Sequence, residues 1–152
     1  MGVPNESKEV IIESAISGTE ISNGVYKTSN GGGQVLPITE VVTHNEFFDY
    51  GAKYNGEVEE ITPARLSDST TKRVQALTSA IYDILGASGI IRIDYIISKE
   101  EKDGELVDKI NLLEINTTPG MTATSFIPQQ VRAAGLDMQT VLTEVIEDKL
   151  NK

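Results

Sequence analysis

A chain of 152 residues with 39% apolar content and 13 glycines is long enough to bury the core of one soluble globular domain. Its net charge of −10, spread without a long acidic run, excludes a Lys/Arg-striped nucleic-acid surface. Zero cysteines exclude disulfides and thiolate metal sites and fit a reducing compartment, and no apolar run approaches the roughly 18 residues of a membrane span.

The N-terminus lacks the hydrophobic stretch of a signal peptide, and Glu6 stands where a myristoylation motif carries Ser or Thr. Residues 9–13 are β-branched and predict a first strand, and residues 21–28 and 35–42 predict two more. The Gly31-Gly32-Gly33 run between them reads as a hairpin turn, because a phosphate-binding glycine loop needs a helix directly after it and Val35-Leu36-Pro37 follows instead. Residues 43–63 form a long polar-aromatic connection, of a kind more often functional or mobile than passive. Within it, Lys53 can reach a phosphate as a point charge and Tyr54 can close over a site as part of a lid; a solvated loop with tucked-in aromatics fits the same residues. His44, the sole histidine, has no catalytic or metal-spaced partner and reads as a surface residue.

A helix is predicted over residues 69–85, with Val74, Leu77, Ile81, Ile84 and Leu85 at 3/4 spacing, Ser67 or Asp68 as cap and Gly86 as terminator. A strand over 89–97, a charged turn over 99–104 and a returning strand over 106–116 follow. Two helices close the chain, one near 125–134 and one over 137–149 with Met138, Val141, Leu142, Val145 and Ile146 as its buried stripe. Together these predict one α+β domain spanning 1–152, with a largely antiparallel sheet and packed helices.

Chemistry concentrates on the last two strands. Arg92-x-Asp94 shares one strand face, and Glu114-x-Asn116 shares one face of the next, at the mouth of the tight loop Thr117-Thr118-Pro119-Gly120. If a hairpin joins the strands, all four polar groups meet. Asp94, Glu114 and Asn116 offer only oxygen ligands, which suits Mg²⁺ (or Mn²⁺), and Arg92 can stabilise charge on an oxyanion or a transferring phosphoryl group. An ordinary Arg92–carboxylate salt bridge on a solvated sheet face fits the pattern too. Near the chain start, backbone groups after Glu13 could read an adenine edge and Glu20 could hold ribose hydroxyls, although two glutamates seven apart also describe a solvated face. With no Cys and no Ser/His/Asp arrangement, nucleophilic catalysis has no support.

Several blocks in order carry a resemblance: Val10-Ile-Ile-Glu-Ser-Ala-Ile-Ser-Gly-Thr-Glu20, Val35-Leu-Pro-Ile-Thr-Glu40, Phe48-Asp-Tyr-Gly-Ala-Lys-Tyr54, Pro63-Ala64, Gly89-Ile-Ile-Arg-Ile-Asp94 and Leu113-Glu-Ile-Asn-Thr-Thr-Pro-Gly-Met-Thr122. From residue 10 to 150 the chain resembles the C-terminal part of the D-alanine–D-alanine ligases, which are ATP-grasp enzymes. The resemblance implies that Asp94, Glu114 and Asn116 are magnesium ligands and that Arg92 and the Gly120 backbone stabilise a tetrahedral intermediate. It implies that Lys53 contacts the nucleotide phosphates and that Tyr54 closes over the active site. Glu13, Ala15 and Ile16 fall on the adenine-binding segment, Glu20 on the ribose-binding glutamate, and Ser125 and Phe126 on the contact with the second D-alanine. Ala15 stands where many relatives carry a large aromatic, and Gly51 where the loop often has Glu.

The implied reaction phosphorylates one D-alanine with ATP, and the amine of a second D-alanine then attacks the acyl-phosphate, giving a peptidoglycan precursor. The expected setting is the bacterial cytoplasm, with ATP and D-alanine as partners, no nucleic acid or membrane, and a homodimeric full-length enzyme. Family enzymes are about twice this length or more, so the N-terminal and central domains are expected to be missing and the piece alone to be inactive. A D-alanine–D-lactate type ligase and a non-catalytic nucleotide- or metal-binding module are the alternatives.

Overall fold

A computed structural model of the chain describes residues 10–43 and 58–151. The elements are β1 (Thr19–Lys27), β2 (Gly33–Val35), β3 (Thr39–Thr43), β4 (Val58–Ile61), α1 (Asp68–Ile84), β5 (Gly89–Lys102), β6 (Glu105–Asn116), α2 (Phe126–Ala133) and α3 (Met138–Leu150). One sheet runs β4-β3-β1-β5-β6, with β2 also beside β1, and every described pairing is antiparallel, as the α+β reading expects.

Strand alternation divides the work between the two faces. Ile21, Val25, Ile91, Ile93, Tyr95 and Ile97 turn toward α1 and form a buried core with Val74, Tyr82 and Ile38. The opposite face carries Tyr26 and Ile90, which pack with Leu36, Ile127, Val131 and Val141 under α2 and α3. These helices cover only one end of that face. At the other end Glu20 and Glu114 stay exposed.

Several elements differ from the sequence expectation, each for a physical reason. Residues 10–17 form no strand, and Val10, Ile11 and Ile12 are 81–90% exposed, since β-branched residues make a strand only where a partner supplies the hydrogen bonds. The segment 35–42 is two strands, because Pro37 has no N–H for a ladder and the chain leaves the sheet at Leu36-Pro37-Ile38. Strand β4 lies within what reads as irregular sequence and exists by pairing with β3. The charged turn contracts to Asp103-Gly104, both at positive φ, and the strands run on to Lys102 and Glu105. Cross-strand pairs Lys99–Asp108 and Lys109–Glu100 hold that extension.

The helix stripes also shift. In α1 the buried positions are Thr70, Val74, Thr78 and Tyr82, while Ile84 and Leu85 are exposed. Tyr82 and Thr78 bury because their hydroxyls have partners: Tyr82 donates to the Gly89 carbonyl at 2.9 Å, and Thr78 and Tyr95 share a hydrogen bond of 2.7 Å. In α3 only Val141 is fully buried; Met138 and Val145 pack partly, and Leu142 and Ile146 face out. The Gly31–Gly33 turn is confirmed between β1 and β2, closed by bonds from Thr28 N–H to Gly32 and from Gly31 N–H to Thr28.

Two measurements test this packing. A Cβ added at Gly24 would lie 2.5 Å from Ile127 Cδ1 and 2.8 Å from Gln130 Oε1, so Gly24→Ala should cost about 1–3 kcal/mol in urea unfolding by prying α2 from β1. Burial pushes the hydroxyls of Tyr26 and Tyr95 up to about 12, so the folded state holds these protons more tightly than the unfolded chain. That stabilisation is complete below about pH 10 and is lost as pH rises toward 12, which denaturation midpoints across that range should follow.

Candidate active site

The polar pairs on β5 and β6 do meet, through a one-residue register shift. Near the Asp103-Gly104 turn Lys102 faces Glu105, and the ladder continues in that register to Tyr95 opposite Leu112. Beyond a β-bulge that leaves Leu113 unpaired, Asp94 faces Glu114 and Arg92 faces Asn116. Without the bulge Asp94 would face Leu113, and Glu114 and Asn116 would turn into the α1 core. The bulge also explains how Ile110 and Ile115, an odd number of residues apart, both pack against that core.

Asp94 is the most enclosed acid of the site, at 8% exposure. Arg92 holds it with two parallel bonds, Nε to Oδ1 at 2.9 Å and Nη2 to Oδ2 at 2.7 Å. The Ser22 hydroxyl, on the facing position of β1, donates to Asp94 Oδ1 at 2.6 Å. Arg92 Nη2 is 3.8 Å from Glu114 Oε1, and the guanidinium lies over the Phe126 ring at 5.2 Å from its centroid. Phe126, expected at the second substrate, thus also fixes the plane of Arg92. Asn116 Oδ1 accepts from Thr118 N–H at 3.0 Å, which folds the chain into the loop ending at Gly120. A Cβ at Gly120 would sit 2.9 Å from Ser125 Oγ, so the loop lies close against the start of α2 and a larger residue there would displace that hydroxyl. Ser125 Oγ pairs with Thr122 Oγ1 at 2.7 Å.

Glu20 belongs to the same electrostatic field. Its carboxyl is pushed above the usual range, first by desolvation and then by the charges of Asp94 and Glu114. Three carboxylates with one arginine among them leave excess negative charge, which favours a cation. Among the described residues no three His, Cys, Asp or Glu side chains converge closely enough to hold a metal by themselves. The donor chemistry nevertheless fits a hard cation that completes its shell with phosphate oxygens. Asp94 Oδ2 accepts one bond and retains a lone pair, and among the described residues Glu114 is tied only by its loose contact with Arg92.

Glu13, Ala15 and Ile16 lie on the exposed run ahead of β1. Lys53, Tyr54 and His44 fall outside the described residues. Sequence reading missed Ser22 and Gln130. Neither carried a clear signal: Ser22 stands beside a second polar residue in Ile21-Ser22-Asn23-Gly24-Val25, and a glutamine on a helix reads as solvent-facing. No helix among the described residues is long and apolar enough to cross a membrane.

Residues 4–147 match the family described as D-ala D-ala ligase C-terminus. A D-alanine–D-alanine ligase of Bacteroides fragilis is 66% identical over 145 residues, covering 95% of this chain and 42% of the relative. The chain therefore spans well under half the length of the curated relatives it matches. Among solved structures, the D-alanine–D-alanine ligase of Bacillus anthracis complexed with ATP superposes with a TM-score of 0.66 at 30% identity, over 91% of this chain and 42% of that one. The VanG D-Ala:D-Ser ligase of Enterococcus faecalis does so with a TM-score of 0.67 at 31% identity, over 88% and 36%.

Removing Arg92 would leave Asp94 enclosed and charged beside two other acids. Arg92→Ala should destabilise the fold by about 2–3 kcal/mol, below the range for a fully buried pair because both side chains keep some water contact; chemical denaturation at neutral pH measures this.

Proposed function

The chain belongs to the family of D-alanine–D-alanine ligase C-termini, and from that premise we propose that it forms one wall of the active site in an ATP-dependent enzyme joining two D-alanines. We take 1–152 as one domain of that longer, bacterial, cytoplasmic and dimeric protein. The observation that supports this best is the facing of Arg92–Asp94 with Asn116–Glu114 beside the loop to Gly120.

In this reading a carboxylate oxygen of the first D-alanine attacks the γ-phosphorus of ATP, ADP leaves, and an acyl-phosphate forms. The amine of the second substrate then attacks the acyl carbon, and phosphate departs. Asp94, Glu114 and Asn116 would hold Mg²⁺, which when bound neutralises phosphate charge. Arg92 spends Nε and Nη2 on Asp94, and its Nη1 donors have no partner among the described residues. They are free to bind the oxyanion of the tetrahedral intermediate, with the Gly120 N–H as second donor. Phe126 beneath the guanidinium keeps those donors in one plane. Glu20 would take the ribose hydroxyls, Glu13, Ala15 and Ile16 the adenine, Lys53 the phosphates, Tyr54 the closing of the loop, and Ser125 the second substrate.

In the full-length protein, Asp94→Ala and Glu114→Ala should each lower ATP- and D-alanine-dependent phosphate release by at least about 100-fold. Near-normal turnover in both variants would defeat the proposal. Product analysis in the same assay separates D-alanine from D-serine or D-lactate as second substrate.

A further inference from the structure

The break between β2 and β3 exposes a defect in the sheet that one side chain repairs. At the gap between β2 and β3, Leu36 N–H still reaches the Gly24 carbonyl at 2.9 Å, whereas the Gly24 N–H and the Ser22 carbonyl on β1 turn to a side chain. The primary amide of Gln130, fully buried on α2, takes that place: Oε1 accepts from Gly24 N–H at 2.8 Å, and Nε2 donates to the Ser22 carbonyl at 2.9 Å and to Thr39 Oγ1 at 3.0 Å. A side-chain amide here stands in for a backbone peptide, one acceptor and two donors all satisfied. The residue it clamps, Ser22, is 1% exposed, and its hydroxyl is the one that donates to Asp94 Oδ1.

We propose that Gln130 and Ser22 are positioning residues that act in series: Gln130 fixes the β1 backbone at Ser22, and the Ser22 hydroxyl fixes the Asp94 carboxylate for its cation. This rests on Asp94 being a metal ligand. Arg92 grips Asp94 from the same strand, and Ser22 adds a second hold on Oδ1 from β1. Ser22 approaches from β1 on a short side chain, so its reach is set by the β1 backbone, which pairs with Asp94 on β5 and Thr39 on β3 and which Gln130 ties down at the gap between β2 and β3. Partners that orient a ligating carboxylate typically affect metal affinity by 10–100-fold.

The test uses the full-length protein and Mn²⁺ titrated by electron paramagnetic resonance with a non-hydrolysable ATP analogue present. Ser22→Ala and Gln130→Ala should each weaken Mn²⁺ binding by about 10-fold or more, and the double variant no further, because the two act through one contact. Ser22→Thr, which keeps the hydroxyl, should restore affinity to within about threefold, whereas in Ser22→Ala and Gln130→Ala turnover should fall with little change in the KM for D-alanine. Unchanged Mn²⁺ affinity in folded Ser22→Ala or Gln130→Ala protein overturns the proposal, as do additive losses in the double variant. Ser22→Ala leaves the sheet ladder intact and keeps the test open if Gln130→Ala fails to fold. Asp94→Ala distinguishes the two levels. Full Mn²⁺ affinity in that variant rejects the metal-site reading itself, whereas loss there with none in Ser22→Ala or Gln130→Ala rejects only the positioning pair.

Discussion

The single unpaired residue at Leu113 decides what kind of surface this sheet presents. A hairpin with uninterrupted register would keep β6 in phase from Glu105 to Asn116 and would send Glu114 and Asn116 into the core beneath α1. One residue of slip reverses the phase for the last three residues of the strand, so the strand buries Ile110 and Ile115 on one face while presenting its carboxylate and amide on the other. The Arg92–Asp94 pair, the field that reaches Glu20 and the approach of Phe126 all lie on the face that the slip creates.

The rest of the site is held by elements distant in sequence. Strand β1 contributes Ser22 beneath Asp94, α2 contributes Phe126 over Arg92 and Gln130 into the gap of the sheet, and the loop from Thr117 to Gly120 closes against Ser125. Phe126 and Gln130 are one helical turn apart, so docking α2 sets both together. The same helix that seals the second core therefore also aligns the guanidinium and the β1 backbone.

Much of this was legible in the sequence, within limits set by what local pattern encodes. The hairpin partners Arg92-x-Asp94 and Glu114-x-Asn116 could be read because polar residues at period two interrupt β-branched runs. The phase slip could not be read, because Leu112-Leu113 carries no Gly or polar mark of a bulge. Pro37 marks the break in the segment 35–42, because a residue without an N–H cannot carry a ladder through it. The strand expected at 9–13 failed for the opposite reason: propensity was present and a partner edge was not. Exposed Leu142 and Ile146 on α3 show that 3/4 spacing marks which residues share a helix face, while the neighbour's shape decides how much of that face is covered.

The amide plug between β1 and α2 has a consequence for how such a sequence can drift. Gly24 offers its N–H to Gln130 and also leaves the space that Gln130 and Ile127 fill, so the two positions share one volume and one hydrogen bond. Any Cβ at position 24 crowds the amide, and any shorter side chain at position 130 strands a donor and an acceptor of β1. A homologue with alanine at position 24 must then carry a smaller residue at 130 and satisfy the strand by other means, a route that passes through an unfavourable single change. The pair behaves as one heritable unit written at two places 106 residues apart.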